Sequence, residues 1–189
     1  RGIVIETSET NNLGVTAIPM LIELPPPSDL VVENVTVPTS AMVADEVQVG
    51  WTVANRGNEP AIGRWADSVY LSRDAVWDLG DRLIGHFEFD KTKTLAPDET
   101  YTQSLKVAIP PALPADYRIL VRSDIFDDIF EIQQDNNRGV STTALRLTVP
   151  TLQLGVPAVD TLAVGESLLY RIEVPAGETL EIRLDADAA

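Results

Sequence analysis

Residues 47–53 read VQVGWTV. Val47, Val49, Trp51 and Val53 alternate with Gln48, Gly50 and Thr52, the period of two that a strand shows when one face lies in a core and the other meets water. Working outward, the same alternation returns at Tyr117, Ile119 and Val121 against Arg118 and Arg122, and at Leu145, Leu147 and Val149 against Arg146 and Thr148. Strand-like runs also cover residues 30–37, 65–72, 82–89 and 100–109, giving seven strands in all. Turn clusters such as NRGNEP (55–60) and PPALPAD (110–116) separate them, and no segment sustains a helical period. Seven short alternating strands predict an all-β protein, an immunoglobulin-like antiparallel β-sandwich. Its expected core holds Val49, Trp51, Val69, Leu71, Tyr117, Ile119 and Leu147. Tyr117, just after Pro114-Ala115-Asp116, reads either as a hydroxyl-to-backbone corner or as an ordinary core tyrosine.

Composition narrows the partners. The chain has 189 residues, 44% of them hydrophobic, enough for a packed core. Its formal net charge of −15 repels phosphate backbones and anionic membrane surfaces, so nucleic acid is not an expected partner. The absence of cysteine removes disulfides, thiol catalysis and zinc-thiolate sites. The longest apolar stretch, Leu13 to Ile22, is broken by Pro19 and far too short for a membrane helix.

An internal repeat sets the expected domain organisation. Residues 6–12 read ETSETNN and residues 131–137 read EIQQDNN. Shifting the chain by 125 positions lays Glu6 on Glu131, Asn11-Asn12 on Asn136-Asn137, Gly14 on Gly139, Met20 on Leu145, Ile22 on Leu147 and Pro25 on Pro150. On this reading residues 1–25 are the last hairpin and linker of one repeat, 26–150 a complete second repeat, and 151–189 the start of a further β domain. Pro25-Pro26-Pro27 is the expected semi-rigid joint. Arg1 starts neither a signal peptide nor an open reading frame, and Ala189 follows directly on a strand-like run, so the expectation is a segment of a longer polypeptide.

Several stretches in order carry a family resemblance: SDLVVENVTVP (28–38), ADEVQVGWTVANRGNEPA (44–61), LAPDETYTQSLKVAIP (95–110) and above all DIFDDIFEIQQDNN (124–137). With them, residues 26–150 resemble the cell adhesion-related domain found in bacteria. The family pattern at the last stretch has an aspartate, an acidic or amide turn, an apolar residue, a glutamate, a second acid and Asn-Asn. Asp124, Asp128, Ile129, Glu131 and the asparagines fit, whereas Gln134 replaces the second acid. Physically, Asn136-Asn137 suits a left-handed turn into the last strand, with the acids accepting backbone N–H groups in the same loop. The tail, with strand-like runs opened by Gly165-Glu166 and Gly177-Glu178, is similar to the first half of a bacterial pre-peptidase C-terminal domain. Together these resemblances imply a non-catalytic adhesion or spacer module outside a bacterial cell or on its surface. Its partners would be neighbouring β-sandwich repeats and a surface protein or glycan. The alternatives are an accessory region of a secreted peptidase and a carbohydrate-binding module.

Candidate sites are few. His86 is the single histidine and has no catalytic company. Trp65 and Trp77 read as core residues or as a sugar-stacking platform. Asp74, Asp78 and Asp81 surround Gly80 in the run SRDAVWDLGDRLIG (72–85), the oxygen-rich, glycine-bent loop that Ca2+ prefers, although without the spacing of an EF-hand. Calcium at these three aspartates is the metal expectation, set against plain turn capping.

Overall fold

A computed structural model describes residues 14–23, 26–90, 94–131 and 133–185. Along it run β1 (Leu30–Thr36), β2 (Ser40–Met42), β3 (Glu46–Asn55), β4 (Ala61–Ile62), β5 (Ala66–Ser72), β6 (Arg82–Glu88) and β7 (Thr94–Leu95). They are followed by β8 (Thr100–Ala108), β9 (Ala115–Arg122), β10 (Arg138–Val140), β11 (Leu145–Thr148), β12 (Thr151–Leu152) and β13 (Arg171–Ile172). The predicted strands are β1, β3, β5, β6, β8, β9 and β11. The fold is all-β, an immunoglobulin-like sandwich.

One sheet has the order β1-β3-β8; the other runs β2-β11-β9-β5-β6, with β10 also paired to β9. The central pairings are antiparallel, and the exception within the sandwich is β2, which lies parallel to β11. Pro38 explains the switch: it has no N–H for a ladder, so the chain leaves the first sheet after β1 and joins the edge of the second. A bulge at Glu33 brings Val32 and Val35, three positions apart, onto the same buried face.

Between the sheets lie Val49, Trp51, Val69, Leu71, Tyr117, Ile119 and Leu147, all buried as the alternation requires. Trp51 meets Phe87 edge to face, their ring centroids 6.1 Å apart, and Trp65 stacks on Phe89 at 3.9 Å. The Tyr117 hydroxyl donates to the Leu113 carbonyl at 3.0 Å, so the corner reading is the one the structure takes. Residues 14–23 are exposed throughout, whereas Glu6 and the first Asn pair lie outside the described residues. In the tail, Gly165 and Gly177 take φ of 85° and 87° in turns, and β12 pairs with β13 in parallel.

Candidate functional site

The loop from β9 to β10 contains the repeated motif. Its left-handed residues are Asp124 (φ 46°) and Asp127 (φ 55°), not the Asn136-Asn137 pair to which sequence reasoning gave that role. Aspartate tolerates this region. Here the Asp124 carboxylate also holds the turn from inside, accepting the N–H groups of Asp128 (3.0 Å) and Ile129 (2.9 Å). The asparagines act through their side chains instead. Asn137 Nδ2 donates to Glu131 Oε2 at 2.6 Å, and Asn136 Nδ2 donates to Asp29 Oδ1 at 2.8 Å.

Glu131 carries the longer connection. Its Oε1 accepts the backbone N–H of Leu30, a residue 101 positions earlier at the head of β1. Alongside, Ser28 and Glu131 form a parallel β-bridge, and Ser28 Oγ donates to the Phe130 carbonyl at 3.3 Å. Asn55 closes the cluster from the end of β3, its Oδ1 accepting the N–H groups of Asp29 and Gly57, each at 3.0 Å. The loop is therefore a clasp on the point where the chain enters the sandwich. Sequence spacing reveals the motif but not this partner, because the contact spans nearly the whole domain.

Glu131 is only 8% exposed. Burial pushes its carboxyl up, the nearby Asp124 and Asp29 charges push it further, and the bonds from Asn137 and Leu30 pull back, leaving it raised to about 7. Gln134, where the family pattern has an acid, can turn its amide nitrogen to Asp127 Oδ1 (3.2 Å) and Glu131 Oε2 (3.3 Å). In the other orientation its oxygen accepts from Asn137 Nδ2 at 3.0 Å.

A second buried acid was missed at the sequence level. Asp67, fully buried, lies between the sheets, where its Oδ2 accepts Trp51 Nε1–H and the Tyr101 hydroxyl, both at 2.7 Å. Its Oδ1 has no partner among the described residues, and burial raises its carboxyl above the ordinary range. Parity was the available signal: Asp67 shares its face of β5 with Val69 and Leu71.

The three loop aspartates of the calcium expectation sit between β5 and β6, each engaged with backbone. Asp74 Oδ1 accepts Val76 N–H (2.8 Å), Asp78 Oδ1 accepts Gly80 N–H (2.6 Å), and Asp81 Oδ2 accepts Asp78 N–H (3.0 Å). The first two are Asx turns, and the third reaches back three residues to close the same loop. Among the described residues no group of three or more His, Cys, Asp or Glu side chains is placed to hold a metal ion.

His86 is exposed on β6, its Nδ1 3.2 Å from Ser68 Oγ. The two tryptophans do not form a sugar platform: Trp65 is 1% exposed against Phe89, and the ring of Trp77 is covered by the Arg122 guanidinium at 3.9 Å. No helix among the described residues is long and apolar enough to cross a membrane.

Comparison with known families decides the assignment, for the profile described as CARDB matches residues 27–141. The chain belongs to the CARDB family. CARDB domains are non-catalytic. Among solved structures, this chain is similar to the CARDB domain of the PF1109 protein of Pyrococcus furiosus, crystallised in complex with di-metal ions. That match has 19% identity and a TM-score of 0.48, covering 70% of this chain and 100% of that one. The solution structure of the same domain matches at 20% identity and TM-score 0.46, covering 64% and 94%. A β-glucosidase from Listeria innocua matches at 13% identity and TM-score 0.42, covering 64% of this chain and 16% of the enzyme. No curated protein matches.

Proposed function

We propose that residues 26–150 are a spacer and contact module in a row of β-sandwich repeats on a large secreted or surface-displayed bacterial protein, serving adhesion. The observation that carries this reading is the Glu131 clasp, which ties the β9–β10 loop to Ser28 and Leu30, directly after the proline joint. A module pulled through its neighbours is loaded at that point, and the clasp shares the load with β10 and β11. The internal repeat at 125 positions supports the same organisation, with residues 1–25 completing a preceding sandwich and 151–189 opening the next. Pulling single chains through their two ends tests it: Glu131→Ala, with its fold intact, should unfold at clearly lower force than the parent. Equal forces would remove the mechanical reading.

Calcium at Asp74, Asp78 and Asp81 is the accompanying proposal from the acidic loop. A cation there competes with three backbone N–H groups for the same carboxylates. Bound calcium would raise the melting temperature in millimolar calcium over chelator by mass action, and Asp78→Ala would abolish the rise. Turn capping alone predicts no calcium effect and a loss of about 1 kcal/mol for Asp78→Ala in either buffer.

A further inference from the structure

The outer face of the larger sheet carries an arrangement that the adhesion reading does not use. Register places His86, Ser68, Arg122 and Arg138 in one row across β6, β5, β9 and β10. The loop after β5 folds over this row, laying Trp77 on the Arg122 guanidinium at 3.9 Å and edge-on to Tyr70 at 5.9 Å. Beside them is a groove of about 340 Å³ whose lining includes Val76, Trp77, Leu120, Arg122, Arg138 and Val140.

Charge makes the groove unusual. Acids outnumber bases 29 to 14 in this chain, yet the Arg122 guanidinium has neither an ion pair nor a hydrogen bond among the described residues. The tryptophan fixes the guanidinium plane and leaves its edge of N–H donors free, so little freedom remains to be lost on binding. Trp77 Nε1–H is buried and has no acceptor among the described residues, so it reports on the groove without meeting a ligand in it. Arg138 supplies the second donor group, shared with the exposed Asp135 at 3.0 Å. Two arginines line the groove against one carboxylate.

We propose that this groove binds the carboxylate side chain of an acidic peptide segment in a partner protein. The fork of Arg122 matches a carboxylate in two parallel bonds, while Val76, Leu120 and Val140 provide apolar walls for the methylenes behind it. An acidic sugar fits less well, because the ring face that would stack on it is occupied by Arg122 and Asp135 is the sole lining carboxylate available to its hydroxyls. Asp135 instead acts as a resident competitor that keeps Arg138 engaged. The inference is independent of the mechanical reading, since no residue of the Glu131 clasp lines the groove.

The test uses the full chain with a fluorescent hexaglutamate peptide, its hexaglutamine counterpart and a trigalacturonate, at about 0.15 M salt, which screens the field of the −15 chain, with the indole N–H resonance of Trp77 as a second readout. The glutamate peptide should bind saturably and shift that resonance, and the glutamine peptide should not. Arg122→Ala should weaken binding at least tenfold, and Val76→Glu, a change at an exposed loop position, should do likewise without touching the core. Asp135→Asn should tighten binding several-fold, a gain that a merely structural role for Arg122 cannot produce. Arg64→Ala, which removes an arginine paired with Glu88 elsewhere, should change nothing. Equal binding by Arg122→Ala, no saturation at millimolar peptide, or tighter binding of the trigalacturonate would each overturn the proposal.

Discussion

Three buried carboxyls, Glu131, Asp67 and Asp124, give this domain an uncommon response to pH. Glu131 moves from an ordinary 4.5 to about 7 on folding, so the folded state holds its proton more tightly than the unfolded chain. The stability it contributes is then fully present below about pH 4.5 and is lost as pH rises through 7. At about 1.4 kcal/mol per pK unit the span is roughly 3 kcal/mol. Asp67 and Asp124, both raised chiefly by burial, act in the same direction. Urea unfolding between pH 4.5 and 8 should therefore show stability falling as pH rises, and Glu131→Gln should flatten much of that slope. A slope unchanged in Glu131→Gln would assign the effect to the net charge of −15 instead.

At the scale of elements, the head of β1 is held as closely by backbone as by side chains. A Cβ on Gly57 would lie 2.5 to 2.6 Å from backbone atoms of Ser28 and Asp29, so Gly57→Ala must push the start of β1 off the β3 turn. A loss of about 2 to 3 kcal/mol in chemical denaturation is expected, with the Leu30 amide exchanging faster with solvent. The long strands were legible because burial of one face imposes a period of two, which VQVGWTV and YRILVR both keep. By contrast β2, β4, β7 and β10 span two or three residues, too few for any period, and exist because neighbouring strands offer them partners. The motif at 131–137 was visible as a repeat, yet its chemistry was misassigned at the asparagines. Local turn preference pointed to their backbone, whereas the fold uses their amide groups on Glu131 and Asp29. Asp67 could have been placed by parity, but nothing in ADSVYLS names Trp51 and Tyr101 as its donors.

For the molecule as a whole, we propose that residues 26–150 form a self-standing sandwich, closed by its own Glu131 clasp and owing little to the flanking segments. Within the flanks, Val15, Met20, Ile22, Val159, Val164 and Leu184 are all exposed, so they add little apolar burial to the sandwich. The apolar alternation that buries Leu145 and Leu147 recurs at Met20 and Ile22, which are exposed and pair with no strand among the described residues. Thermal unfolding of residues 26–150 beside the full 189-residue chain tests the claim most directly. The account predicts one cooperative transition for the fragment, its midpoint within about 2 °C of the sandwich transition in the full chain. A fragment that melts without cooperativity, or about 10 °C or more below the full chain, would contradict it.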